Sequence, residues 1–182
     1  VQPTCWGASN GQIHLVDITG GSGVYNAHVW GMSAAGEEVD SIYSDIQSEE
    51  GLYILGGVPA SDSTGFFVTV MDENGCTSKE DTIFVGQPLE LKVELMESPD
   101  NYSCFGAVEG WIETMVDGGT EPYQYQLLKN GVVHTPWQDL ASAFLVQVGN
   151  TFTVQVKDAK GCEAEAELWM PTPLKVEYTY ED

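Results

Sequence analysis

Two stretches of this chain follow one template, and that self-similarity limits the fold more than any other feature. Phe66, Val68, Val70, Asp72, Gly75 and Cys76 recur as Phe152, Val154, Val156, Asp158, Gly161 and Cys162, six positions at identical spacing. Upstream, Cys5-Trp6-Gly7 answers to Cys104-Phe105-Gly106, and Gly20-Gly21 with Tyr25 answers to Gly118-Gly119 with Tyr123. Downstream, Gln87-Pro88-Leu89 answers to Thr172-Pro173-Leu174. The order of landmarks is the same in both copies, and the first holds an insertion of about a dozen residues between Tyr25 and Phe66. The spacing divides the chain into units 1–88 and 89–182. Val1-Gln2-Pro3 resembles the close of a unit, and 174–182 resembles the first strand of a further one. Two units from a longer array are therefore expected.

Each unit reads as strands. Phe66, Val68 and Val70 alternate with Phe67, Thr69 and Met71, and Leu89, Leu91, Val93 and Leu95 alternate with Glu90, Lys92 and Glu94. Period two with one apolar face describes a strand lying on a core. Gly20-Gly21, Asn74-Gly75, Gly118-Gly119, Asn130-Gly131 and Gly149-Asn150 supply turns between such strands. The fold expected is all-β: two tandem immunoglobulin-like β-sandwich repeats. Trp30 is a candidate core residue, with Leu128 as its counterpart. Between Ser33 and Glu50 six acids and no base occur, with Val39, Ile42, Tyr43 and Ile46 at helical spacing. A short amphipathic helix, an extended loop and an extra edge strand all fit that stretch.

Charge removes several function classes. Six Lys+Arg, every one a lysine, face 28 Asp+Glu, for a net charge of −22. Six scattered lysines cannot form the basic stripe that nucleic acid requires, and anionic membrane surfaces repel such a chain. Disorder is excluded by the 42% of apolar residues, which include five tryptophans. No apolar run approaches the roughly 20 residues of a membrane-spanning helix, so no membrane insertion is expected. The sequence opens without an initiator Met, a basic region or an apolar region, so no signal peptide is expected within it. No Gly-x-Ser-x-Gly, phosphate-binding loop or His-Glu-x-x-His is present, and the expectation is a non-enzymatic protein.

The landmarks together resemble the SprB repeat of Bacteroidota surface proteins. The shared pattern is Cys-aromatic-Gly, then Gly-Gly-x-x-x-Tyr, then aromatic-x-Val-x-Val-x-Asp-x-x-Gly-Cys, then Gln-Pro-Leu. This sequence departs from it at Gly23-Val24 before Tyr25, at Thr172, and in the acidic insertion. The resemblance implies β-sandwich repeats of a large adhesin at the extracellular cell surface, associated with the outer membrane through the rest of the parent chain. It also implies export by type IX secretion and a place in attachment or gliding motility. Neighbouring repeats of the same chain would be partners, with surface polysaccharide or glycan as a further one.

Three site readings follow. Four cysteines allow three connectivities, and the one that repeats with the repeat pairs Cys5 with Cys76 and Cys104 with Cys162; four buried thiols are the alternative. Zinc is disfavoured because no Cys-x-x-Cys occurs and the histidines lie far from the cysteines. The Asp72-Glu73-Asn74-Gly75 turn has oxygens for calcium, with Asp72 and Glu73 as ligands and calcium as the one cofactor considered. Its equivalent, Asp158-Ala159-Lys160-Gly161, lacks the extra acid, so the simpler reading is an Asp capping its own turn. Finally, Trp137, beside Pro136, Gln138 and Asp139, is the candidate exposed ring for stacking on a sugar, in a carbohydrate-binding module or an accessory domain of a secreted enzyme.

Overall fold

The computed structural model describes residues 1–98, 108–139 and 143–172. The chain is all-β and divides into two units, Val1–Leu89 and Glu90–Asp182. Each is an immunoglobulin-like β-sandwich, and no helix occurs among the described residues.

Unit one contains β1 (Gly11–Val16), β2 (Tyr25–Ser33), β3 (Glu38–Ile46), β4 (Ser48–Glu49), β5 (Leu52–Val58), β6 (Ser61–Asp72) and β7 (Asp81–Ile83). One sheet has the order β1-β5-β4 and the other β3-β2-β6-β7. The alternation of β2 decides which residues meet the core. Tyr25, Ala27 and Val29 turn inward, and Asn26, His28 and Trp30 turn outward. Ile13, Leu55 and Val58 from the first sheet close on Ala27, Val29, Phe66 and Val68 from the second. Phe66 has no exposed surface.

Unit two contains β8 (Lys92–Glu97), β9 (Glu109–Asp117), β10 (Gln124–Lys129), β11 (Val132–Gln138), β12 (Ala143–Gln147), β13 (Asn150–Lys157) and β14 (Glu163–Met170). Its sheets are β12-β9-β8 and β11-β10-β13-β14. Phe152, Val154 and Val156, the repeats of Phe66, Val68 and Val70, are fully buried against Ile112, Leu127, Phe144 and Met170. Asn130 and Gly131 join β10 to β11 with φ of 49° and 78°, the paired left-handed conformation of a tight hairpin turn.

One alternative left open by the sequence is settled, and one expectation is corrected. Of the helix, loop and edge strand that fit the acidic insertion, the edge strand is formed: β3 pairs with β2 in antiparallel register from Tyr25↔Ile46 to Met32↔Glu38. Ile42, which a helix would have set on its apolar stripe, is 71% exposed, whereas Val39, Tyr43 and Ile46 pack on the core. Pairing with β2 satisfies the backbone of this stretch, and the helical spacing of its apolar residues is coincidental. Trp30 and Leu128 are one residue out of phase with the core. Val29 and Leu127 take the buried positions, and Trp30 stacks on Phe67 outside the sheet, with ring centroids 5.8 Å apart.

Candidate functional site

The repeated landmarks converge on one construction in each unit. Asp72 ends β6 and is buried. Its Oδ1 accepts the N–H of Asn74 at 3.0 Å and of Cys76 at 2.9 Å, closing the turn beneath it. Its Oδ2 accepts the N–H of Ser22 at 3.2 Å, from the Gly-Gly loop before β2. In unit two, Asp158 Oδ1 accepts from Lys160 and Cys162, each at 2.8 Å, and Oδ2 accepts from Thr120 at 2.9 Å.

Tyrosine and glycine complete each interlock. Tyr25 donates its hydroxyl to the Gly20 carbonyl, and Tyr123 donates to the Gly118 carbonyl at 2.6 Å. Burial, and then the carboxylate of Glu121, push the Tyr123 phenol above its ordinary pKa. Gly21 has φ of 69°, and a Cβ there would lie 3.0 Å from Asp72 Oδ2. Gly119 has φ of 63° and stands 3.1 Å from Asp158 Oδ2 by the same construction. The second glycine is thus required both by its left-handed backbone and by the carboxylate against it.

This geometry fits the turn-capping reading of Asp72. Both carboxylate oxygens face N–H dipoles, whose positive ends occupy the directions a cation would need. The N–H of Cys76, ahead of those of Asn74 and Ser22, holds the carboxyl below its ordinary range against the opposing effect of burial. Glu73 is exposed, and no cluster of three or more metal-ligating side chains occurs among the described residues.

The cysteines depart from the expected pairing. Cys5 and Cys162 each take part in a disulfide, but Cys76 is a free, exposed thiol, so the Cys5–Cys76 bridge is not formed. Cys76 belongs to the Asp72 turn: its N–H goes to Asp72 Oδ1, and its carbonyl accepts the Asp72 N–H at 3.0 Å. Cys162 makes the same two backbone bonds in its own turn and is half-buried and disulfide-bonded, so the shared backbone of the turn does not decide the fate of the thiol. Cys104 lies outside the described residues, as do Phe105 and Gly106 and the strand reading of 174–182.

Trp137 is half-buried on β11, and the ammonium of Lys157 lies over its ring, 4.6 Å from the centroid. Lys157 is held there by Glu163 at 2.7 Å, so the face expected for a sugar carries a cation instead. Trp6, Trp111 and Trp169 are more exposed, at 54%, 46% and 54%. A row of rings on the outer face of β2 and β6 was not foreseen from sequence. His28 lies 4.6 Å from Trp30, which stacks on Phe67, and His28 Nε2 meets Asp40 Oδ1 at 2.6 Å. His28 and Trp30, two apart on one strand, were its only signal.

The strands β9 and β10, with the Gly118-Gly119 loop and Tyr123 between them, fall within the stretch that decides the comparison with known families. Residues 96–132 match the SprB repeat. The SprB match therefore covers half of the unit-two interlock, and Asp158 lies beyond it. No curated protein matches the chain. Among solved structures, the N-terminal four Ig domains of Dscam1 isoform 8.4 are similar at 12% identity and a TM-score of 0.35, over 89% of this chain and 41% of that one. Fibronectin(III)-like modules of Clostridium thermocellum CbhA align at 11% identity and 0.38, over 100% of this chain and 96% of that one. A tetra-tandem repeat in the extending region of a large adhesion protein aligns at 15% and 0.27, over 88% and 48%. This chain thus spans less than half the length of the Dscam1 and adhesion-protein chains.

Proposed function

We propose that this chain is a non-enzymatic structural repeat of a large secreted cell-surface protein, serving as stalk or adhesin in surface attachment or gliding. The observation that carries the reading is the SprB match over 96–132, joined to an interlock built twice from the same residues. A unit fastened by its own Asp, Gly-Gly and Tyr needs no ligand to hold its shape. Such units serve as beads that set a tip away from the cell or present weak contacts many times over. A net charge of −22 supports an extended, mutually repelling exterior. The deciding experiment is labelling of intact cells that make the parent chain, using antibody raised against these 182 residues. Surface label, lost after mild external proteolysis, is expected. Label that appears only after the cells are permeabilised overturns the reading.

A further inference from the structure

An antiparallel sheet packed on a core by one face ordinarily turns polar residues to water on the other. The four-stranded sheet of unit two does so, with Gln126, Thr153 and Gln155 outward on its middle strands and Glu163, Glu165 and Glu167 outward on β14. The same face of unit one is apolar. Trp30 and Phe67 are paired across β2 and β6 where unit two pairs Leu128 with Thr153, and Met71 stands in place of Lys157. Ile42 lies opposite His28 on β3 and is 71% exposed, and Met32 and Met71 are exposed as well. Unit two keeps the sandwich without any of these side chains, so folding does not require them.

Two hollows mark this face, one of about 260 Å³ against Trp30, Met32, Glu38 and Asp40, the other of about 210 Å³ against His28, Ile42, Thr69 and Met71. Apolar side chains gathered in water on one face mark a docking surface, and charge selects its occupant. Glu38 and Asp40 stand beside Met32 and Trp30 on β3. The single lysine of unit one, Lys79, lies with Val68 and Ile83, away from this face. A second copy of the chain brings its own charge of −22 and is repelled. Arginine and lysine match both parts of the surface, since their stems cover apolar side chains while their heads reach carboxylates. Unit two shows the arrangement from within: the Lys157 ammonium lies 4.6 Å from the centre of the Trp137 ring and is held by Glu163 at 2.7 Å. Unit one has the ring and the carboxylates, and its own lysine is elsewhere.

We propose that the outer face of β3, β2 and β6 docks a basic segment of a partner protein. Its arginine or lysine stems lie on Trp30, Ile42 and Met71, and its cationic heads meet Glu38 and Asp40. The proposal goes beyond the stalk reading, because it gives unit one a partner for which unit two has no matching surface.

The test follows the backbone amide signals of the full chain by NMR as a short synthetic peptide of alternating arginine and leucine is added. Saturable shifts confined to β2, β3 and β6 are expected, foremost at His28, Trp30, Asp40 and Thr69. Trp30→Leu with Phe67→Thr installs the pair that unit two folds with, so the circular-dichroism spectrum should be kept and affinity should fall about tenfold. Glu38→Lys with Asp40→Lys should abolish binding. Shifts spread over the acids of both units, or equal affinity for a peptide of alternating arginine and glycine, reduce the contact to charge and overturn the proposal. So does a chain that dimerises through these amides without peptide, which assigns the face to a second copy. A face that answers to the neutral glucan laminarin and not to the peptide overturns it in favour of a sugar. A chain that ignores the peptide yet labels the cell surface sinks the docking face alone and leaves the stalk reading standing.

Discussion

Asp158 reaches across 38 positions of sequence to accept the N–H of Thr120 at 2.9 Å, and so ties the end of β13 to the loop before β10. Its other oxygen holds Lys160 and Cys162. Asp158→Ala strands three N–H groups, and hydrogen bonds to a charged acceptor contribute about 1.5–3 kcal/mol each without being additive. The expected loss is about 3 kcal/mol, read as a lowered melting transition of unit two by calorimetry. Asp158→Asn should cost less, since one oxygen keeps its donors while the amide nitrogen opposes the N–H that remains. Equal melting of wild type and the Ala variant would show that the interlock carries no stability.

Acid should loosen unit one through Asp72. Its folded carboxyl titrates below its ordinary range because the N–H groups of Cys76, Asn74 and Ser22 favour the charged form. A depressed folded pKa means that the stabilisation is fully present above the unfolded value of about 3.9 and disappears as pH falls through the lowered folded value. Asp62, held down first by the Thr64 hydroxyl, acts in the same direction. Urea midpoints should be flat near neutrality and fall below about pH 4. Asp72→Asn should flatten part of that fall, and an unaltered slope in this variant would assign the acid sensitivity elsewhere.

Calcium should leave both transitions in place. Asp72 offers its oxygens to backbone donors. Melting temperatures measured with excess calcium and with chelator are expected to coincide. A rise with calcium would restore Asp72 and Glu73 as ligands.

The thiols separate by reactivity. Alkylation of the folded, unreduced protein should mark the peptide carrying Cys76 and spare Cys5 and Cys162. Cys76→Ser, at an exposed position, should change stability by less than about 0.5 kcal/mol. Protection of Cys76 until reductant is added would reinstate its place in a disulfide.

The strands of the core were legible because period two fixes which residues share a face. Phe66 and Val68, and Phe152, Val154 and Val156, are buried as their alternation requires. The capping Asp was legible too, since Asp two residues ahead of a tight turn has N–H groups within reach. Long-range partners were not. Nothing local joins Thr120 to Asp158, or sets His28, Trp30 and Phe67 in one row, because sheet register does both. The phase of Trp30 was lost for a related reason: size and hydrophobicity suggest a core residue, yet Tyr25, Ala27 and Val29 had already taken the inward positions of β2. Cys76 was misread because the repeated spacing reports the backbone of the turn, which Cys76 and Cys162 share, while only Cys162 is disulfide-bonded.

The interlock has a consequence for how such a gene can grow. Its acceptor is one carboxylate and its donors are main-chain N–H groups, which every residue but proline supplies. Asn74 and Cys76 in one turn, Lys160 and Cys162 in the other, do the same work with different neighbours. A duplicated segment therefore arrives with its fastener complete, and later drift in the turn leaves it fastened. Lengthening by copying costs no matched second mutation, provided each copy keeps one Asp, two glycines and one Tyr.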